Sequence, residues 1–256
     1  MSPDGLWARW EKNATAFPDR DAIVHWTLHG EPRRWTFSSL LTEARLLARQ
    51  LSRQGVERGC VCALMMRHHP QFYPLNLAVT ALGAIPAVLP HPTSRLHPDK
   101  FREGLEGMLQ HSGLDWILTE RDFVPLLAPL GKQLKVAVFP FEAEHQENAQ
   151  RSPREASAIL QHSSGTTGLQ KPVLLTDAMV QRHAELYSRA IGLTESDRIV
   201  SWLPLYHDMG LIAAFHMPLL CGVTSIQMSP MEWISAPAVE SRIAAPAHKL
   251  QRAYPS

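Results

Sequence analysis

Apolar residues along this chain switch repeatedly between helical and strand-like spacing, and the switches mark out alternating elements. Leu40, Leu41, Ala44, Leu47, Ala48 and Leu51 recur at helical intervals, and Gly55 follows as a stop. Residues 60–66 are continuously apolar, the pattern of a parallel strand buried on both faces. Upstream, the pattern gives a short amphipathic helix over Leu6–Ala16, then a hairpin of residues 22–28 and 33–37 around His29-Gly30-Glu31-Pro32. Downstream it predicts helix 70–82, strand 85–89, helix 98–111, strand 115–119, helix 121–130 and strand 134–139. Residues 142–155 are polar and aperiodic and read as a linker into the β-like run 156–160. Helix Asp177–Ala190, strand 198–203, helix 209–220 and strand 223–228 complete the series.

Strands separated by helices of roughly ten to fifteen residues indicate an α/β fold. The expected architecture is a doubly wound, mainly parallel sheet with flanking helices. Such folds bind ligands beyond the carboxyl ends of their strands.

Composition narrows the class. A 256-residue chain with 45% hydrophobic and 19% charged residues can bury a sizeable core in one large or two small domains. A formal net charge of +1 gives no electrostatic case for nucleic acid or an anionic membrane as partner. The segment Met1-Ser2-Pro3-Asp4-Gly5 has neither a basic flank nor an apolar core, so no secretory signal is expected. No apolar run reaches membrane-spanning length. Cys60, Cys62 and Cys221 make no disulfide framework, and the expected setting is cytoplasmic.

Candidate chemistry concentrates in His162-Ser163-Ser164-Gly165-Thr166-Thr167-Gly168-Leu169-Gln170-Lys171, which directly follows the run 156–160. Glycines let backbone close around a bulky anion, while hydroxyls and backbone N–H groups donate to phosphate oxygens. Lysine adds a mobile point charge, and only six of the 25 basic residues are lysines. The segment reads as a holder for a nucleotide triphosphate; the plainer alternative is a Ser/Thr/Gly surface turn. A P-loop is excluded by spacing, because Gly165 and Gly168 stand too close together and Pro172 follows Lys171 where a hydroxyl is needed.

On these residues the chain resembles the adenylate-forming superfamily, which includes acyl-CoA synthetases, fatty acyl-AMP ligases and peptide-synthetase adenylation domains. Their phosphate loop runs Thr/Ser-Ser-Gly-Thr-Thr-Gly-x-Pro-Lys-Gly. The Ser-Gly-Thr-Thr-Gly core and the lysine match, with Gln170 for the usual proline and Pro172 for the usual glycine. A second block, Ser201-Trp202-Leu203-Pro204-Leu205-Tyr206-His207-Asp208-Met209-Gly210, is similar to the matching segment of fatty acyl-AMP ligases and long-chain synthetases. The resemblance covers most of residues 15–235.

The resemblance implies ATP-dependent activation of a fatty or other carboxylic acid to an acyl-adenylate. Magnesium would assist, and the acyl group would pass to CoA or an acyl carrier protein. It implies that Ser163, Ser164, Thr166, Thr167 and the amides of Gly165 and Gly168 hold the triphosphate tail, with Lys171 moving alongside. It further implies that His207 orients the carboxylate and that Met209 and Gly210 border the acyl pocket, with Leu211, Ile212 and Phe215 beyond. The residues alone also allow a histidine at a helix start with Asp208 as N-cap, and core packing for the apolar set. No metal site is expected: neither His68-His69 nor the His207/His216 pair has zinc-site spacing.

Three blocks the family uses are missing: an aromatic-Gly-x-Thr-Glu block, a Thr-Gly-Asp block and a C-terminal lysine. Ile191-Gly192-Leu193-Thr194-Glu195 imitates the first but precedes the Trp202 block, whereas the family motif follows it; a helix-to-strand turn accounts for it better. Residues 1–235 are therefore read as the N-terminal portion of an adenylating domain. Residues 236–256, interrupted by Pro237, Pro246 and Pro255, are read as an atypical tail, a truncation or altered frame. Impaired catalysis is expected of such a chain. The alternatives are a non-catalytic remnant, or a partner subunit with residual nucleotide binding.

Overall fold

The computed structural model describes residues 5–92, 97–130, 134–141, 159–162 and 171–235. Its contacts divide the chain into two compact units, residues 1–43 with 177–256, and residues 44–176.

The first unit holds a four-stranded sheet. Helix α1 (Leu6–Ala16) precedes β1 (Asp21–His25) and β2 (Arg33–Thr36), the expected antiparallel hairpin, with Val24 opposite Arg34. The sheet order is β2-β1-β10-β9, where β9 is Arg198–Ser201 and β10 is Thr224–Gln227, and the last three of these strands run parallel. Helix α1 buries Leu6, Trp7, Trp10 and Asn13, the stripe its apolar spacing predicts. Asn13 is the polar exception, and its Nδ2 donates to the carbonyls of Leu219 at 2.7 Å and Leu220 at 3.1 Å. Those carbonyls lie in the last turn of the short helix α7 (Met217–Cys221), where no intrahelical donor remains. Replacing Asn13 by Leu is expected to cost about 1–3 kcal/mol in urea unfolding, because the buried Leu219 carbonyl loses this donor, whereas the Leu220 carbonyl still accepts from Arg9 Nε at 3.1 Å.

The second unit holds a six-stranded sheet in the order β6-β5-β3-β4-β7-β8. Helix α2 (Phe37–Arg53) leads into β3 (Val61–Met65), whose five residues are all buried, as the continuous apolar run foretold. Then come α3 (Phe72–Ala81), β4 (Ile85–Val88), α4 (Pro98–Ser112) and β5 (Trp116–Glu120). The expected helix over 121–130 is broken into a 3₁₀ turn, the single α-turn α5 (Val124–Leu127) and a second 3₁₀ turn. Pro125 and Pro129 account for the break, since neither can donate an N–H to a continuous ladder. Strand β6 (Lys135–Phe139) forms one edge, and β7 (Ile159–His162) lies beside β4. Val61, Ala63, Met65, Ile85, Ala87 and Leu160 face Phe101, Leu105 and Met108 of α4, forming the core on one side of the sheet.

The mainly parallel α/β class holds, with helices packed on the sheets. The strands fall into two sheets, each carrying one antiparallel strand at an edge. One of these edge strands, β8 (Pro172–Leu175), was not expected. The second unit's chain passes from it to α6 (Asp177–Ala190) in the first unit. No described helix is long and apolar enough to cross a membrane.

Candidate active site

The Ser/Thr/Gly segment is bounded by β7 and β8, which pair antiparallel with His162 opposite Pro172. The residues that flank the segment, His162 and Pro172, therefore meet at the carboxyl end of β7, which runs parallel to β4. That is where α/β sheets place their ligands. Ser163, Ser164, Gly165, Thr166, Thr167 and Gly168 lie outside the described residues. Lys171 is described: it directly precedes β8 and its side chain is exposed. A cavity of about 350 Å³ lies against β6, lined in part by Arg121, Val138 and Phe141. Strand β6 is the opposite edge of the sheet from β8, so this cavity does not adjoin the β7–β8 pair.

The second block lies in the first unit. Strand β9 ends at Ser201, whose Oγ accepts from the Leu203 amide at 3.1 Å. The chain then turns through Tyr206 and His207. The His207 amide donates to the Pro204 carbonyl at 3.1 Å, and the His207 carbonyl accepts from the Leu211 amide at 2.9 Å. The imidazole is exposed and tilts against Tyr206, with ring centroids 4.8 Å apart. Asp208 Oδ1 accepts from the Met209 amide at 2.7 Å, so the capping role open to it from sequence is realised.

Residues 209–220 do not form one α-helix. Met209–His216 is a π-helix, followed by α7 (Met217–Cys221), and π-helical turns are rare and concentrate at functional sites. Gly210 is buried, and a Cβ there would stand 2.2 Å from the Pro204 carbonyl oxygen. The absence of a side chain lets the helix start lie directly on the turn that carries His207. Leu211, Ile212 and Phe215 are buried in the core of this unit.

His216 closes the π-helix fully buried, its ring stacked on Trp10 at 5.8 Å and 14°. Neither of its ring nitrogens has a hydrogen-bond partner among the described residues, and burial pushes its pKa down to about 3. The exposed His207 and the sealed, neutral His216 make no metal-binding pair. Among the described residues no group of three or more His, Cys, Asp or Glu side chains could hold a metal ion. The Gly192-Leu193-Thr194-Glu195 stretch is a turn between α6 and β9, with Glu195 exposed beside Arg20 at 3.9 Å.

A family model described as "AMP-binding enzyme" matches residues 10–240. The chain belongs to this family. The resemblance read from the two blocks thus stands over nearly the whole chain. Among its AMP-binding relatives is 4-hydroxyphenylalkanoate adenylyltransferase of Mycobacterium marinum, 27% identical over 93% of this chain and 40% of that protein. The long-chain-fatty-acid–AMP ligase FadD26 of the same organism is also 27% identical, over 88% of this chain and 40% of its own. This chain thus spans 40% of the length of either relative. The fold is similar to that of a fatty acyl-adenylate ligase from L. pneumophila solved with acyl adenylate and pyrophosphate. That match has a TM-score of 0.77 at 20% identity, covering 92% of this chain and 41% of the other.

Two features of this AMP-binding chain carry no local sequence signal. The π-helix is one, since its apolar residues fit helical spacing equally well. The other is a buried contact between Ser112 Oγ and His162 Nε2 at 2.8 Å, which joins the end of α4 to the last residue of β7. Fifty positions separate the two residues.

Proposed function

We propose that this chain is the nucleotide- and acid-binding portion of a ligase that converts a fatty or other carboxylic acid to its acyl-adenylate. Residues 1–235 serve as the N-terminal portion of the adenylating domain. In the reaction a carboxylate oxygen attacks the α-phosphorus of ATP. The new bond is acyl–O–P, the bond to the β-phosphate bridging oxygen breaks, and pyrophosphate leaves. Two anions must meet, so the protein's work is charge neutralisation and alignment.

In this reading Ser163, Ser164, Thr166, Thr167 and the amides of Gly165 and Gly168 hold the triphosphate, and Lys171 follows its terminal charge. His207, Met209 and Gly210 line the approach of the acid. The reading rests most on the pairing of His162 with Pro172, which brings the two flanks of the segment together at the carboxyl end of β7, with an exposed Lys171 just before β8. An ammonium free in solvent fits a phosphate tail. Magnesium, carried in on the nucleotide, would supply further charge neutralisation.

CoA or a carrier-protein thiol would accept the acyl group. Three free cysteines suit a reducing, cytoplasmic setting. The missing Thr-Gly-Asp and C-terminal lysine blocks favour weak turnover by these 256 residues alone. A chain that binds nucleotide and depends on a separate partner is the second reading.

Acid-dependent ATP–pyrophosphate exchange over a panel of fatty acids tests the proposal. Lys171→Ala is expected to lower exchange roughly ten- to hundredfold, the loss of one charge-assisted contact of about 1.5–3 kcal/mol. Exchange untouched by Lys171→Ala would reject the role given to this residue. Binding of Mg-ATP without exchange would favour the partner-dependent reading.

A further inference from the structure

We propose that Ser112 and His162 are positioning residues for nucleotide binding, acting through the β7–β8 stem that carries residues 163–171. The inference rests on the nucleotide-binding reading of that segment.

The stem's last rung pairs His162 with Pro172. Proline has no N–H, so at most one backbone hydrogen bond can close this rung. The His162 carbonyl instead receives the side chain of its neighbour, Gln161 Nε2, at a long 3.4 Å. Strand β8 is also an edge strand, with no further strand hydrogen-bonded beyond it among the described residues. The rung next to the candidate phosphate segment is therefore weakly tied by main chain.

A side chain supplies the missing tie. The His162 imidazole is 7% exposed, and its Nε2 lies 2.8 Å from Oγ of Ser112, itself 8% exposed. Ser112 is the final residue of α4, and Gly113 behind it takes the left-handed conformation at φ 58°. The helix end and the strand end are thus joined where the segment departs.

His162 Nδ1 is buried without a partner among the described residues. Half-satisfied buried polar rings cost stability, and a phenyl ring of similar size would suit the site better if packing were all that mattered. What the imidazole adds over a phenyl is the bond to Ser112. Burial also holds its pKa below the usual histidine value, so the ring works as a neutral donor or acceptor.

The test is equilibrium binding of Mg-ATP by calorimetry on the full chain, with thermal melts alongside. His162→Phe and Ser112→Ala are each expected to weaken binding about tenfold, while His162→Phe keeps or raises Tm. The double variant should lose no more than either single one, because both remove the same bond. His162→Gln, which restores an amide able to reach Ser112, should recover most of the affinity. A purely structural role would lower Tm and leave affinity alone.

Parental affinity in His162→Phe, together with weakened binding in Lys171→Ala, would overturn this inference and leave the nucleotide reading standing. Losses that add in the double variant would also overturn it. A parent chain that binds no Mg-ATP would overturn both.

Discussion

Gly210→Ala is expected to destabilise the chain by about 3 kcal/mol and to abolish acid-dependent exchange in the protein that still folds. The added Cβ would be placed 2.2 Å from the Pro204 carbonyl oxygen and 3.0 Å from that of Leu203. Both are backbone atoms, so no side-chain rotation relieves the clash. Either the π-helix must retreat or the 203–207 turn must lift. The turn is held by the His207 amide on Pro204, so lifting it moves the imidazole as well. A urea melt measures the first effect, and pyrophosphate exchange normalised to folded protein measures the second. Unchanged stability would show that the helix start does not press on the turn. Lost stability with normal exchange would remove His207 from the chemistry.

Much of this fold was legible because burial leaves a periodic trace. Helices α1 and α6 follow the expected limits, and β3, buried on both faces, could scarcely be read otherwise. The unread parts have specific causes. Strand β8 is four residues long, opens on proline and exposes Val173 and Leu174, so it shows neither alternation nor a buried run. The π-helix differs from an α-helix by hydrogen-bond offset, which a short all-apolar stretch does not record.

The division into two sheets depends on pairings such as Ile23 with Ser225, which no local pattern announces. The site divides in the same way. Its motif residues were visible as sequence, and Asp208 as a cap. The supports of those residues were not visible. Ser112 under His162, and Pro204 against Gly210, are matters of tertiary contact. Motifs record the groups that meet a ligand and leave out what holds them in place.

Acid should unfold this protein through His216. Its folded pKa of about 3 lies well below the value near 6.5 of an exposed histidine, so between those limits the unfolded chain binds one more proton. The contribution of His216 to the unfolding free energy is then constant above about pH 6.5 and falls as pH drops towards 3, by roughly 1.4 kcal/mol per pH unit. Going from about pH 7.5 to 4.5 crosses some two units of that window and should remove about 3 kcal/mol.

His162, whose pKa burial also lowers, adds loss of the same sign. Asp177 works the other way: burial raises its pKa, so at the acid end the folded state takes up its proton first and recovers a little stability. The decisive comparison is His216→Phe. A phenyl ring can keep the stack on Trp10 and carries no proton, so its urea midpoint should vary far less over the same range. At neutral pH it should match or exceed the parent, since two unpartnered ring nitrogens leave the core with the imidazole. If His216→Phe lost as much stability in acid as the parent, the buried imidazole would not be the group that titrates.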